Sequence, residues 1–143
     1  VTVWRNLKTL DEINVAVPTL ITNLGIRFTE IGADFLRGTM PVDGRTIQPY
    51  GLLHGGASVA LAETLGSMAA GMSVDAEHQV VGQEINANHV RAARSGLVTG
   101  TARPAHIGGR THVWTIDIVN EAGKLICISR LTVAVIKRGA LSP

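Results

Sequence analysis

Glu63 is the only charged residue in the stretch 57–73, where every other position is apolar or small and polar. A carboxylate flanked by small residues loses part of its hydration, which suits it to trade a proton near neutrality as a general base or to attack as a nucleophile. Eight and seven residues earlier stand Gly55 and Gly56. Placed before a helix, they expose backbone amides at the positive end of its dipole, where a developing oxyanion is stabilised. The bland alternative makes Glu63 the wet side of an amphipathic helix, and such a face expects several charges. On a helical wheel Glu63 instead shares its side with Val59, Ala60, Gly66, Ser67 and Ala70, small residues that admit another backbone or a ligand.

Gly55 and Glu63 lie roughly 12 Å apart along a helix that rises ~1.5 Å per residue, too far to act on one carbonyl from within one chain. Two copies remove the difficulty. With their helices antiparallel across a two-fold axis, Glu63 of one copy approaches Gly55 of the other.

The elements that must position these groups follow from local pattern. Residues 57–73 carry Leu61, Leu65, Met68 and Met72 at spacings of four, three and four, one apolar stripe of a helix ~25 Å long. Thr9 and Glu12 form a capping box, so a short helix is expected from there to about Val17, stopped by Pro18. Residues 26–31 and 35–42 read as strands joined through Gly32, Ala33 and Asp34, a hairpin, followed by a loop over 43–50. From Gln79 to Arg138 four extended runs are broken at 94–96, 108–109 and 120–123, and short turns favour antiparallel neighbours. One long helix against one antiparallel sheet is an α+β arrangement, and 143 residues suit a single domain over 1–143.

Composition narrows the function. A net charge of +2 with 3% aromatic residues does not describe a nucleic-acid binder, and Arg91, Arg94, Arg103 and Arg110 read singly as solvated surface. A charged fraction of only 17% hints that part of the surface is covered by another subunit. Cys127 is the only cysteine and reads as packing between Ile126 and Ile128. With no disulfide available, no apolar run of signal length in residues 1–14 and no membrane-spanning stretch, a cytoplasmic setting without membrane contact is expected. His54, His78, His89, His106 and His112 show no zinc-type spacing, so no metal is expected.

The run Gln48-Pro49-Tyr50-Gly51-Leu52-Leu53-His54-Gly55-Gly56-Ala57-Ser58-Val59-Ala60-Leu61-Ala62-Glu63-Thr64-Leu65-Gly66-Ser67 resembles the signature of hotdog-fold acyl-CoA thioesterases of the phenylacetate-degradation and 4-hydroxybenzoyl-CoA thioesterase group. The likeness extends through residues 40–43, 86–89, 94–96 and 113–117. It implies a helix wrapped by an antiparallel sheet, paired dimers that form a tetramer, and neither metal nor cofactor. It implies hydrolysis of an acyl-CoA, with an aromatic acyl group expected first and an aryl group on a carrier protein or a medium-chain fatty acyl-CoA left open. Glu63 would be general base or nucleophile, and the Gly55 amide would polarise the thioester carbonyl. Gln48 and His54 would position carbonyl or water, and Ser67 would support the carboxylate or water from the Glu63 side. His89, Arg91 and the turn Gly108, Gly109, Arg110 fall where the family holds the CoA nucleotide and phosphates. Ala92 stands where the family often has proline and Tyr50 where it often has phenylalanine, which bears on the CoA loop and the acyl pocket. Two other readings are a hotdog dehydratase or hydratase and a non-catalytic acyl-CoA sensor. A serine esterase with a His-Gly-Gly oxyanion loop is disfavoured, because the residues around Ser58 lack the second glycine of a nucleophile elbow.

Overall fold

Thr9 opens the first helix as the capping box predicts. Its hydroxyl accepts from the Glu12 amide at 3.2 Å, and the Glu12 carboxylate accepts from the Thr9 amide at 2.7 Å. The computed structural model describes residues 1–142 and ends this helix sooner than expected. α1 spans only Leu10–Ile13. The Asn14 side chain donates to the Phe28 carbonyl at 2.8 Å and accepts from the Phe28 amide at 2.9 Å. A side chain committed to a distant backbone in this way leaves the helix to end. Pro18 therefore stops nothing, and a second short helix, α2 over Leu20–Asn23, follows it unpredicted.

The hairpin forms as read, with β1 at Arg27–Ile31 and β2 at Leu36–Pro41, closed by the Gly32 amide donating to the Phe35 carbonyl at 2.8 Å. The long helix α3 covers Gly55–Met72, so both glycines lie inside its first turn rather than ahead of it. The four extended runs are β3 at His78–His89, β4 at Leu97–Ile107, β5 at Thr111–Val119 and β6 at Leu125–Lys137. The β5–β6 turn needs Gly123 at φ +74°, a backbone that side chains disfavour.

One departure from the expected pairing matters for the site. Strands β4, β5 and β6 form the meander, but β3 pairs with β6 and not with its successor β4, giving the order β1-β2-β4-β5-β6-β3 with every pair antiparallel. The segment after β3 is drawn across the molecule instead. The Ala93 carbonyl accepts from Leu53 and the Gly96 carbonyl from Val42, each at 2.8 Å. β3 is thus an edge strand, with one side unpaired among the described residues.

The helix packs on the concave side of this sheet. Leu61 and Leu65 are fully buried and Met72 nearly so, whereas Met68, the fourth member of the predicted stripe, is only half-buried. Leu65 settles over Gly38 and Gly100, which face each other on β2 and β4; a Cβ on either would come within 2.8 Å and 2.5 Å of its methyl carbons. Gly66 and Ala70 do not share the Glu63 face, as the wheel suggested, but are buried toward the sheet, Gly66 against Leu131. The half-buried stripe that remains is Val59, Ala60, Glu63, Thr64, Ser67, Met68 and Gly71, which runs the length of α3. Cys127 is fully buried, and burial pushes its thiol pKa up, in keeping with a packing role. No helix among the described residues is long and apolar enough to cross a membrane.

Candidate active site

The first turn of α3 owes its shape to His54, the N-cap. The His54 carbonyl accepts from Ala57 and Ser58, and its ring Nδ1 accepts from the Gly56 amide at 2.8 Å. An accepting Nδ1 places the proton of a neutral ring on Nε2, where it is available to donate. The Gly55 amide is left with no partner among the hydrogen bonds of the described residues, which makes it the free donor of this helix end.

Gln48 presents a second donor by the same logic. Its turn is closed by the Gly51 amide on the Gln48 carbonyl at 2.9 Å, and its side-chain Oε1 accepts from the Tyr50 amide. With that oxygen engaged, the amide nitrogen is the free end. Gln48 and Gly55 line one cavity of about 400 Å³ together with Ser58, His89, Arg91 and Ala92. The His89 ring closes over the glycine: a Cβ on Gly55 would lie 2.8 Å from His89 Nε2. Tyr50 itself is 87% exposed.

Glu63 and Ser67 open into a different cavity, of about 570 Å³, with Thr64, Met68, Val80 and Arg138 among its walls. One residue that positions the carboxylate escaped sequence reasoning. Gly82 on β3 faces Glu63 so closely that a Cβ there would sit 2.7 Å from Glu63 Oε1. The register of β3 against β6 slips between Gly82 and Glu84, a bulge that turns the strand at this point. A glycine inside an otherwise strand-like run was the available signal, since it marks close approach of another group.

Within one copy, then, Gln48, Gly55, His89 and Arg91 come together and Glu63 and Ser67 come together, but the two groups occupy separate cavities. Gly108 and Gly109 line a third, of about 200 Å³, with Arg5, Ser73 and His112, and Arg110 is exposed beside them. His112 is buried with Nδ1 unpartnered, and burial, then the neighbouring His106, holds its pKa below the usual histidine value. No cluster of three or more histidine, cysteine, aspartate or glutamate side chains suited to a metal occurs among the described residues.

Chemically, two free N–H donors beside a helix N-terminus can hold an oxyanion, and a half-buried carboxylate next to a hydroxyl can take a proton from water or attack a carbonyl. Known proteins share this framework. Residues 50–127 match the thioesterase superfamily. The 1,4-dihydroxy-2-naphthoyl-CoA hydrolase of Escherichia coli is 52% identical over 94% of this chain and 99% of its own length. The proofreading thioesterase EntH of Cronobacter turicensis is 50% identical over 93% of this chain and 98% of its own. In the crystal structure of a Haemophilus influenzae thioesterase, 45% identical, the same fold superimposes with a TM-score of 0.95 over 99% of this chain and all of that one.

Proposed function

The chain belongs to the thioesterase superfamily and is a thioester hydrolase of the hotdog fold, and we propose that it cleaves aromatic acyl-CoA at a site that two copies build together. One observation carries this reading: the donors Gln48 and Gly55 and the carboxylate Glu63 lie in separate cavities of one copy, with Gly55 and Glu63 on one rigid helix and roughly 12 Å apart along it. The uncovered stripe of α3 and the unpaired edge of β3 are surfaces for a second hotdog domain to pair with.

In the assembled site the thioester carbonyl oxygen accepts from the Gly55 amide and the Gln48 side-chain amide of one copy. Glu63 of the other takes a proton from water as the oxygen attacks the carbonyl carbon, or attacks directly to form a mixed anhydride that water then opens. Either way the tetrahedral oxyanion is held by the same donors, the carbon–sulfur bond breaks, and CoA leaves as the thiol. Ser67, one turn beyond Glu63 on the same cavity wall, holds the carboxylate or the water. His54 orients the carbonyl or the water through Nε2. His89 and Arg91 border the donor cavity and hold the CoA arm. The Gly108, Gly109 and Arg110 turn, which lies apart from them in one copy, meets the nucleotide from the second. No cofactor enters these steps.

Similarity to the E. coli naphthoyl-CoA hydrolase and the apolar walls of the Glu63 cavity support an aromatic acyl group. Similarity to proofreading thioesterases favours a second reading in which the acyl group arrives on a carrier protein. Rates on matched acyl-CoA and acyl-carrier thioesters separate the two. Subunit mixing tests the shared site. Glu63→Gln and Gln48→Ala proteins, each impaired alone, regain activity when unfolded together and refolded as tagged mixed oligomers, because one site of each mixed pair is intact. If purified mixed oligomers are no more active than the average of their parents, the site is not shared.

A further inference from the structure

We propose that the cavity beside Glu63 takes an acyl group with an apolar body and an anionic group at its far end, and that Arg138 recognises that anion. This rests on the aromatic acyl reading above and adds to it a specific end group. Charge is distributed unevenly along the cavity. Glu63 faces Gly82 on β3, whereas Arg138 is bonded at His78, the first residue of that strand, and Lys8 follows Asn6, which is bonded to Met72 at the end of α3; Ser67 lies one turn from Glu63, and Ile21, Met68, Met72 and Val80 add apolar walls. Such a gradient matches a molecule with a reacting carbonyl, a hydrophobic middle and a negative terminus.

Arg138 is already fixed in place. Its Nε donates to the Ala76 carbonyl at 2.9 Å, its Nη2 to the His78 carbonyl at 3.2 Å, and its backbone amide to the Glu77 carbonyl at 2.8 Å. Carbonyls orient a guanidinium without cancelling its charge, and Nη1, which has no hydrogen bond among the described residues, is left for a ligand of the cavity that Arg138 lines. None of the ion pairs among the described residues uses Arg138 or Lys8. The nearby Asp75 carboxylate is engaged by His78 at 2.7 Å.

The spacing sets the size of the ligand. His78, whose carbonyl holds Arg138, and Gly82, which faces Glu63, are four residues apart on β3, roughly 13 Å at ~3.3 Å per residue. The reach of the Arg138 side chain shortens that gap. A fused bicyclic aryl group with a carboxylate on its distal ring spans it better than a single ring does.

The test compares 6-carboxy-2-naphthoyl-CoA with 2-naphthoyl-CoA on the wild-type protein and on Arg138→Met, which keeps the apolar stem and removes the charge. The wild type is expected to favour the carboxylated ester by at least about tenfold in kcat/KM, expressed mainly in KM, and Arg138→Met to erase most of that preference. Product inhibition by free CoA should be the same in both proteins. Equal rates on the two esters in the wild type overturn the proposal and leave the aromatic reading standing. Failure to cleave either ester, alongside hydrolysis of a fatty acyl-CoA, overturns both. A loss in Arg138→Met that is equal for the two esters, with weaker CoA inhibition, assigns Arg138 to the CoA phosphates instead and also overturns it. If Arg138→Met does not fold, Arg138→Gln takes its place, and a preference for the carboxylated ester that survives loss of the guanidinium overturns the role of Arg138.

Discussion

The two halves of the proposed site are built differently on the same helix. At the start of α3 the donors are fixed by backbone: the Gly55 amide points where the helix end dictates, and His54 and Gln48 each have one atom tied to a main-chain amide. Two turns later Glu63 hangs from a flexible side chain, seated only by the space that Gly82 leaves. An electrophile needs its donors in place before charge develops, whereas a carboxylate that takes a proton or attacks a carbon must move as it reacts. The contrast predicts that damage at the two places will show in different kinetic constants.

Removing the carboxylate should do the most harm. Glu63→Gln is expected to lower turnover by at least ~10²-fold, the scale for losing a general acid or base, with fold and oligomer intact by circular dichroism and sedimentation. Near-normal turnover would move the proton-handling group off α3. Gly55→Ala comes next, by roughly tenfold, because the new methyl group must push His89 aside while the amide itself survives. Full activity in that variant would show that the oxyanion is held elsewhere.

Gly82→Ala should cost less, a several-fold fall in kcat with KM nearly unchanged, since it displaces only the carboxylate. Combining it with Glu63→Asp sharpens the point: the shorter acid should lose less when Gly82→Ala is also present than alone, and strict additivity would mean that the two positions do not communicate. His54→Ala should lower stability by roughly 1 kcal/mol in urea denaturation through loss of the cap, in addition to the rate lost with its Nε2 donor.

The weakest effect lies outside both halves. Burial keeps His112 neutral, so its folded-state pKa is below that of the unfolded chain. Above the ordinary histidine value its contribution to stability is complete, and it is lost as pH falls from there through the depressed folded pKa. His112→Phe should flatten that slope in melting experiments, and an unchanged slope would point to another group.

Much of this contrast could be read before the fold was known, and the reasons are local. Glu63 and Gly55 belong to one helix, whose rise is the same in any protein, so their separation followed from counting. The hairpin and the β4–β5–β6 meander are likewise contacts between neighbours in sequence. What stayed hidden depends on distant partners. Asn14 ends α1 only because Phe28 is brought to it, and β3 lies beside β6 because the segment after it is bonded to Val42 and Leu53. Arg138 stayed hidden for the same cause, and Gly82 showed in the sequence only as a glycine within a strand-like run, its partner Glu63 lying far along the chain. Gly66 and Ala70 were misplaced because a sheet that curves around α3 covers a wider arc than one apolar stripe suggests.

Leu65, lodged over the paired glycines of β2 and β4, also acts as an index pin. It stops α3 from rolling, and since successive residues turn by about 100°, Glu63 two positions earlier is set about 200° around the axis, away from the floor of the sheet. Filling that notch with a methyl group at Gly100 would rotate the carboxylate without touching it. The angular aim of the site is therefore set by a contact on the opposite side of the helix.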